Sequence, residues 1–175
     1  MDKKTIELIY EKLFGLNSQL YSYWREELLF KTQWWISLGL FIIPWIIVGG
    51  YIVKRNATKD VISPILFCIL FASFTDYIGV SYGFWLYKVK LAPLTIDIPW
   101  DFTLLPTSVT FLLLIRPKMN PMIKALILAF LTSFIAEPIF NYINHYEYLI
   151  WRYIYSFPIY YVIYLISYKL YKLNR

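Results

Sequence analysis

The sequence predicts an all-α fold, a polytopic membrane helical bundle with five transmembrane helices preceded by an amphipathic N-terminal helix. Three observations carry this prediction. Hydrophobic residues make up 59% of the 175-residue chain and charged residues 16%, more apolar surface than a soluble domain of this size can hide. The apolar residues gather into five runs, each long enough to cross the hydrocarbon core of a bilayer. An isolated strand in lipid would leave its backbone polar groups unpaired, so all five runs read as helices.

The chain, 1–175, reads as a single integral-membrane domain without internal repeat, low-complexity segment or linker. Residues 1–32 form the N-terminal helix. Ile6, Ile9, Leu13, Leu16, Leu20 and Trp24 recur at helical spacing, with Glu7, Glu11 and Lys12 on other faces. That is the pattern of a helix lying on the membrane or on the bundle. Its acids, from Asp2 to Glu27, balance its basic residues, so it is not a polybasic anchor. It does not read as a cleaved signal peptide either.

The spans run over about 34–53, 61–87, 98–115, 125–143 and 148–168. The first is uncharged, and the second is broken only by Asp76. The third carries Asp101 near its start and is interrupted by Pro99 and Pro106. The fourth contains Glu137 followed at once by Pro138, and the fifth has Arg152 near its start. Three basic clusters share one side: Lys54, Arg55 and Lys59; Arg116, Lys118 and Lys124; Lys169, Lys172 and Arg175. The positive-inside tendency then places the N-terminus outside and the C-terminus in the cytoplasm.

Several function classes drop out. The net charge of +6 is explained by those loops, and without a nucleic-acid motif no nucleic-acid partner is expected. Cys68, the only cysteine, lies among Ile, Leu and Phe and reads as a packing residue. His145 is the only histidine, with neither a second histidine nor a compact carboxylate set beside it. No metal site and no cofactor are therefore expected.

Charges inside spans are costly and normally face the bundle interior. Asp76 and Glu137 are the deepest, roughly 15 Å and 9 Å from the same end of their runs at helical rise. Asp101 and Arg152 start the antiparallel runs, so all four fall in one half of the membrane. Ser133, Glu137 and Asn141, continued by Asn144, form one polar stripe, and Ala72, Asp76, Gly79 and Gly83 share a face of small residues. The expectation is that the second and fourth spans are neighbours, with Asp76 and Glu137 facing a shared cavity. Arg152 should compensate one carboxylate, and Asp101 should act as a cap or interfacial residue. Prolines 44, 106, 138 and 158 should kink four spans and free carbonyls. Glu137 and Asp76 are then the candidate acid–base residues, and Asp101, Trp85, Asn141, Trp151, Arg152 and Tyr155 the candidate ligand contacts.

The series "DYIGVSYGFWLY", Pro93, "IPWDFTLLP", "EPIF", Trp151 and "YSFPIYY", over about residues 61–168, resembles a family of small multi-pass membrane proteins of spore-forming, low-GC Gram-positive bacteria. The resemblance implies a bacterial plasma-membrane or spore-associated setting and a pattern containing Asp76, Trp85, Asp101, Pro106, Glu137, Pro138, Trp151 and Pro158. It implies no particular reaction. By analogy, integral-membrane isoprenoid cyclases also use helical bundles with intramembrane carboxyl groups, which protonate an alkene or epoxide between aromatic faces. The expected ligand is a membrane lipid or isoprenoid bound in an acidic, aromatic-lined pocket. Three readings stay open at this point: a lipid or isoprenoid cyclase or isomerase, a non-catalytic lipid-binding or assembly subunit, and a proton- or cation-coupled transporter. A homo-oligomer is compatible with each.

Overall fold

A computed structural model of the chain describes residues 3–175, so Asp2 of the N-terminal helix lies outside the described residues. Helix α1 (Lys3–Tyr23) runs into a π turn at Trp24–Leu28 and is followed by α2 (Thr32–Lys54) and α3 (Thr58–Ser81). Strand β1 (Trp85–Tyr87) precedes a π turn at Trp100–Leu104 that continues into α4 (Leu105–Leu114). Helix α5 (Pro121–Leu131), a π turn at Thr132–Ala136 and α6 (Glu137–Tyr142) form one continuous rod. Strand β2 (Tyr146–Tyr148) and α7 (Tyr153–Leu173) complete the chain.

Three helices, Thr32–Lys54, Thr58–Ser81 and Pro121–Tyr142, are long and apolar enough to cross a membrane, and Trp100–Leu114 is a shorter apolar helix. Helix α7 has the length, at 21 residues, but its tyrosines, Lys169 and Lys172 dilute its hydropathy. The chain is thus a helical membrane protein in which three of the five expected spans meet length and composition together. Two span boundaries also move. The second run stops being helix at Ser81 and the fifth begins at Tyr153, because Trp85–Tyr87 and Tyr146–Tyr148 pair as an antiparallel ribbon.

The ribbon exists because two helices end in the same way. At the end of α3, Gly83 takes φ +69°, Phe84 N–H reaches Gly79 O at 2.8 Å, and Gly83 N–H reaches Val80 O at 3.1 Å. At the end of α6, Asn144 takes φ +58°, His145 N–H reaches Phe140 O at 3.0 Å, and Asn144 N–H reaches Asn141 O at 3.0 Å. Both are Schellman caps, with Gly or Asn where the left-handed conformation is needed. The chain leaving each cap is aimed at the other, and the strands pair Trp85 with Tyr148, Leu86 with Glu147 and Tyr87 with Tyr146. Phe84 O then receives the N–H groups of Leu149, Ile150 and Trp151 at 3.0–3.1 Å, which fixes the entry to α7.

Helix α7 is the centre of the bundle, packing on α3 and α5, while α3 also packs on α4. Ala125 and Ala129 are fully buried, and small residues four apart let α7 approach α5 closely. Cys68 is likewise fully buried, with its Sγ 3.3 Å from Ser167 Oγ, which fits the packing role expected for it. The second and fourth spans are not neighbours as expected, since α4 and α7 lie between α3 and the α5–α6 rod. Helix α1 buries no residue and, among the described residues, packs on the turn after it rather than on the spans, which removes the bundle as its resting surface.

Candidate functional site

The prolines and π turns build the site together. A proline cannot donate to the carbonyl four residues back. Just before Pro106, Leu105 N–H skips to Trp100 O, and just before Pro138, Glu137 N–H skips to Thr132 O. Each skip is an i→i−5 bond, the π geometry often found at functional positions. The carbonyl of Phe102, left without its helical donor by Pro106, is taken instead by Trp45 Nε1–H at 2.9 Å. The extra residue in each π turn rotates the helix beyond it. Asp101 therefore sits inside a π turn at 1% exposure rather than at a helix cap. The expected stripe is also broken: Ser133 is buried with an unpartnered hydroxyl, while Asn144 stands exposed in its left-handed cap.

At the ribbon end of the bundle these elements surround a partly open cavity of about 70 Å³. Asp76, Asp97, Asp101 and Glu137 all line it. Apolar surface comes from Ala72, Leu105, Ile159 and Ile163, and aromatic surface from Trp85, Trp100, Phe140, Tyr146, Trp151 and Tyr160. Trp85 and Trp151 meet edge to face at 5.2 Å, and Trp100 meets Phe140 in the same way at 5.6 Å, the geometry that aromatic quadrupoles favour.

The carboxyls differ in their partners. Asp76 receives Tyr87 Oη–H at 2.8 Å on one oxygen and the backbone N–H of Asp97 at 3.1 Å on the other. Glu137 receives Tyr160 Oη–H at 2.9 Å, Ser156 Oγ–H at 3.1 Å and Tyr148 Oη–H at 3.3 Å. Ser156 in turn accepts Trp151 Nε1–H at 2.9 Å, so its single proton is directed at Glu137. Asp97 accepts Trp100 N–H at 3.3 Å, which gives it the capping role expected of Asp101. Its other oxygen lies 3.5 Å from His145 Nε2, within ion-pair range but outside hydrogen-bond geometry. Asp101 receives no N–H and no alcohol or phenol O–H among the described residues, and its carboxyl lies against that of Asp76.

The expected residues divide accordingly. Asp76, Asp101, Glu137, Trp85 and Trp151 come together around the cavity. Asn141 stands outside it and donates to Tyr146 O at 3.0 Å, bracing the ribbon. Tyr155 is half exposed and rests edge to face on Trp151 at 5.5 Å. Arg152 is exposed at the start of α7 and forms no ion pair among the described residues. It does not compensate Glu137, because the ribbon ends the fifth run's helix at Tyr153 and leaves Arg152 extended, with φ −126°. The basic side chains near the other carboxyls are His145, 3.5 Å from Asp97, and Lys90. Lys90 is buried with its Nζ donating to Leu94 O, and burial lowers its pKa.

Sequence reasoning passes over Asp97, Tyr87, Tyr148, Ser156 and Tyr160. One signal points to two of them: each deep acid is followed eleven residues later by a tyrosine that hydrogen-bonds to it. The same interval reveals an internal repeat where none is expected. In both halves a helix carries the acid, ends in a Schellman cap, and delivers a strand that returns the tyrosine to the acid. The ladder pairs the first residue of each strand with the last of the other, centred on Leu86 and Glu147, so a local two-fold relates the halves. Compared with known proteins, the chain matches no family model, no curated protein and no solved structure.

Proposed function

We propose that this is a bacterial plasma-membrane protein whose ribbon-end cavity binds a hydrophobic molecule with a small polar head, a membrane lipid or isoprenoid, and transforms it by acid–base chemistry. One observation carries the reading. Two carboxyls, each tied to a tyrosine, line one cavity together with Asp97, Asp101 and walls that are otherwise mostly aromatic and aliphatic. Such a site can pass a proton to one carbon of a double bond and remove a proton from a neighbouring carbon. The π electrons form the new C–H bond, and the C–H electrons form the shifted double bond. The proton count is unchanged and no oxidant or reductant is needed. The Trp and Tyr faces stabilise the positive charge between the two transfers, and the carboxyls act as general acid and base. We place the chain across the membrane five times with the N-terminus outside, so that the cavity opens in the outer half and the basic loops lie in the cytoplasm.

The test is mass spectrometry of molecules retained by the detergent-purified protein. The expected result is an apolar compound retained by the wild type and converted on incubation, with conversion lost in both Glu137→Gln and Asp76→Asn while retention persists. A retained compound released unchanged by the wild type would make the protein a binder, and no retained compound would sink the reading. The repeat favours a second reading, proton- or cation-coupled transport, because transporters place their sites between repeats. Proton flux into liposomes carrying the wild type but not Glu137→Gln would support it.

A further inference from the structure

We propose that Asp76 and Asp101 hold a single proton between them, seated on Asp101 and donated to the Asp76 carboxylate, and that this pair is the proton store of the cavity. The proposal rests on the acid–base reading and names where that reading's proton is kept. The pair is assembled by the packing of α3 on the π turn that precedes Pro106. That turn carries Asp101 inward, and the two carboxyls lie within hydrogen-bond reach of each other. Both line the cavity.

Two ionised carboxylates in contact repel, and in a buried site one of them keeps its proton unless a cation stands beside them. Among the described residues neither Asp76 nor Asp101 forms an ion pair. His145 faces Asp97, at 3.5 Å. Lys90 faces Asp97 and Asp76 from the loop after β1, but its Nζ donates to Leu94 O. The other titratable groups facing the pair are Asp97, Glu137, Tyr87, Tyr146 and Tyr160, and they bring no positive charge.

The hydrogen bonds decide which member carries the proton. Asp76 accepts Tyr87 Oη–H on one oxygen and Asp97 N–H on the other, at 2.8 Å and 3.1 Å. Donors of this kind stabilise an ionised carboxyl. Asp101 receives no N–H and no alcohol or phenol O–H. It is also the deeper of the two, at 1% exposure against 6% for Asp76. As a neutral acid that gives its O–H to Asp76, Asp101 gains a partner and leaves no buried charge without a donor. Asp76 is the member nearer the open space. The proton therefore reaches the cavity through Asp76, one O–H bond breaking at Asp101 as another forms at Asp76. Asp101 is a positioning residue, and once the proton has left, repulsion between the two carboxylates favours its replacement.

Difference infrared spectroscopy of the full chain in nanodiscs, near neutral pH, reads this proton directly. A protonated carboxyl has a C=O band that a carboxylate lacks and that shifts in heavy water. The difference between wild type and Asp101→Asn should contain that band, because Asn keeps an N–H for Asp76 but holds no acid proton. The difference between wild type and Asp76→Asn should show the band shifted and not lost, since Asp101 stays buried and neutral. If Asp101→Asn removes no such band, or if Asp76→Asn removes it as well, the assignment is overturned. Should Asp101→Asn fail to fold by gel filtration, Asp101→Glu keeps the acid and should shift the band, and an unshifted band overturns the assignment equally. In the mass-spectrometric assay Asp101→Asn should retain the apolar compound and slow its conversion at least about a hundredfold. Conversion at the wild-type rate would overturn the pair's role as the store. A wild type that shows the Asp101 band and converts nothing would uphold the shared proton and end the acid–base reading.

Discussion

The two halves of the bundle carry the same acid–cap–tyrosine unit and finish it differently. In the second half Glu137 is fully engaged by Tyr148, Ser156 and Tyr160. Two of these donors come from α7, which starts directly after the ribbon. In the first half β1 is followed by a longer loop before the next helix. That loop is held from outside by Trp24 Nε1–H on Lys90 O at 3.1 Å and Trp34 Nε1–H on Leu91 O at 3.0 Å. It supplies Asp76 with one backbone N–H, from Asp97, and brings Asp97 itself into the cavity. In the second half the acid itself is fully hydrogen-bonded, although Ser133 Oγ and His145 Nε2 nearby are unmet, and in the first half the Trp85 indole N–H is unmet. The same unit used twice thus gives the cavity one side whose acid is fully hydrogen-bonded and one side with an unmet indole N–H.

The sharpest way to break the comparison is to remove each acid's oxygens altogether. Glu137→Leu strands three donors, of which Ser156 and Tyr160 are buried. At about 1–3 kcal/mol for each stranded buried group, the loss should reach about 3–5 kcal/mol. Asp76→Leu strands one part-buried hydroxyl and one backbone N–H, and should cost about 2 kcal/mol. Unfolding of both variants in mixed SDS–detergent micelles compares them directly. Equal losses would mean that the halves are equally complete and would end the distinction drawn between them.

The next effect is steric. Gly79 and Trp85 in the first half correspond to Phe140 and Tyr146 in the second, a small–large pair exchanged for two rings. Gly79→Ala drives a methyl into the indole, with a Cβ-to-ring distance of 2.1 Å, and Trp151 and Phe84 block its retreat. Overpacking should cost about 2–3 kcal/mol, offset by about 1 kcal/mol of gained helix propensity. In a Trp85→Ala background, Gly79→Ala should cease to lower the melting temperature. If it does not, the indole is not what Gly79 accommodates.

These cases also mark how far the sequence is legible. Helix positions follow from apolar runs, and the convergence of Asp76, Asp101 and Glu137 follows from comparing depths along antiparallel spans. Three features do not follow. Pairing of Arg152 is expected only when helical rise is carried through Tyr146–Tyr148, which is strand. Asp97 carries no signal of its own, because its burial depends on tethering by Trp24 and Trp34 from a distant part of the chain. The π turns shift register by one residue without marking the sequence, and Ser133, which simple helical counting keeps with Glu137, does not line the cavity that Glu137 lines. Pro106 and Pro138 signal disruption but not its form.

A smaller effect tests the proline device that places the first-half acid. Trp45 Nε1–H serves the Phe102 carbonyl that Pro106 leaves free. Trp45→Phe should cost about 1 kcal/mol, and Pro106→Ala, which restores a backbone donor, should make the chain indifferent to that change. The double variant measured by the same micelle unfolding gives the coupling directly. A purely additive result would show that Trp45 does not act through Pro106.

The smallest effect lies at the two caps, where the halves are most alike. Both caps need a residue at positive φ, +69° at Gly83 and +58° at Asn144. Glycine adopts this conformation without strain, and asparagine tolerates it better than other side chains. Gly83→Ala adds a Cβ with nothing within 4 Å, so its cost is purely conformational, about 1 kcal/mol. Gly83→Asn should cost only a few tenths of that amount, and Asn144→Gly should be neutral within about 0.5 kcal/mol. Exchanging the two residues would then leave stability nearly unchanged, as expected of one cap used twice. A loss well above about 1 kcal/mol in Gly83→Asn would mean that the first cap is held by something the second lacks. The candidate is the junction where Phe84 O gathers three N–H groups from the start of the α7 connection, since a shift in Gly83 would displace that carbonyl. Amide hydrogen exchange at Leu149, Ile150 and Trp151 separates the two cases. Protection retained in Gly83→Asn assigns the cost to the cap alone, and protection lost assigns it to the ribbon junction that joins the halves.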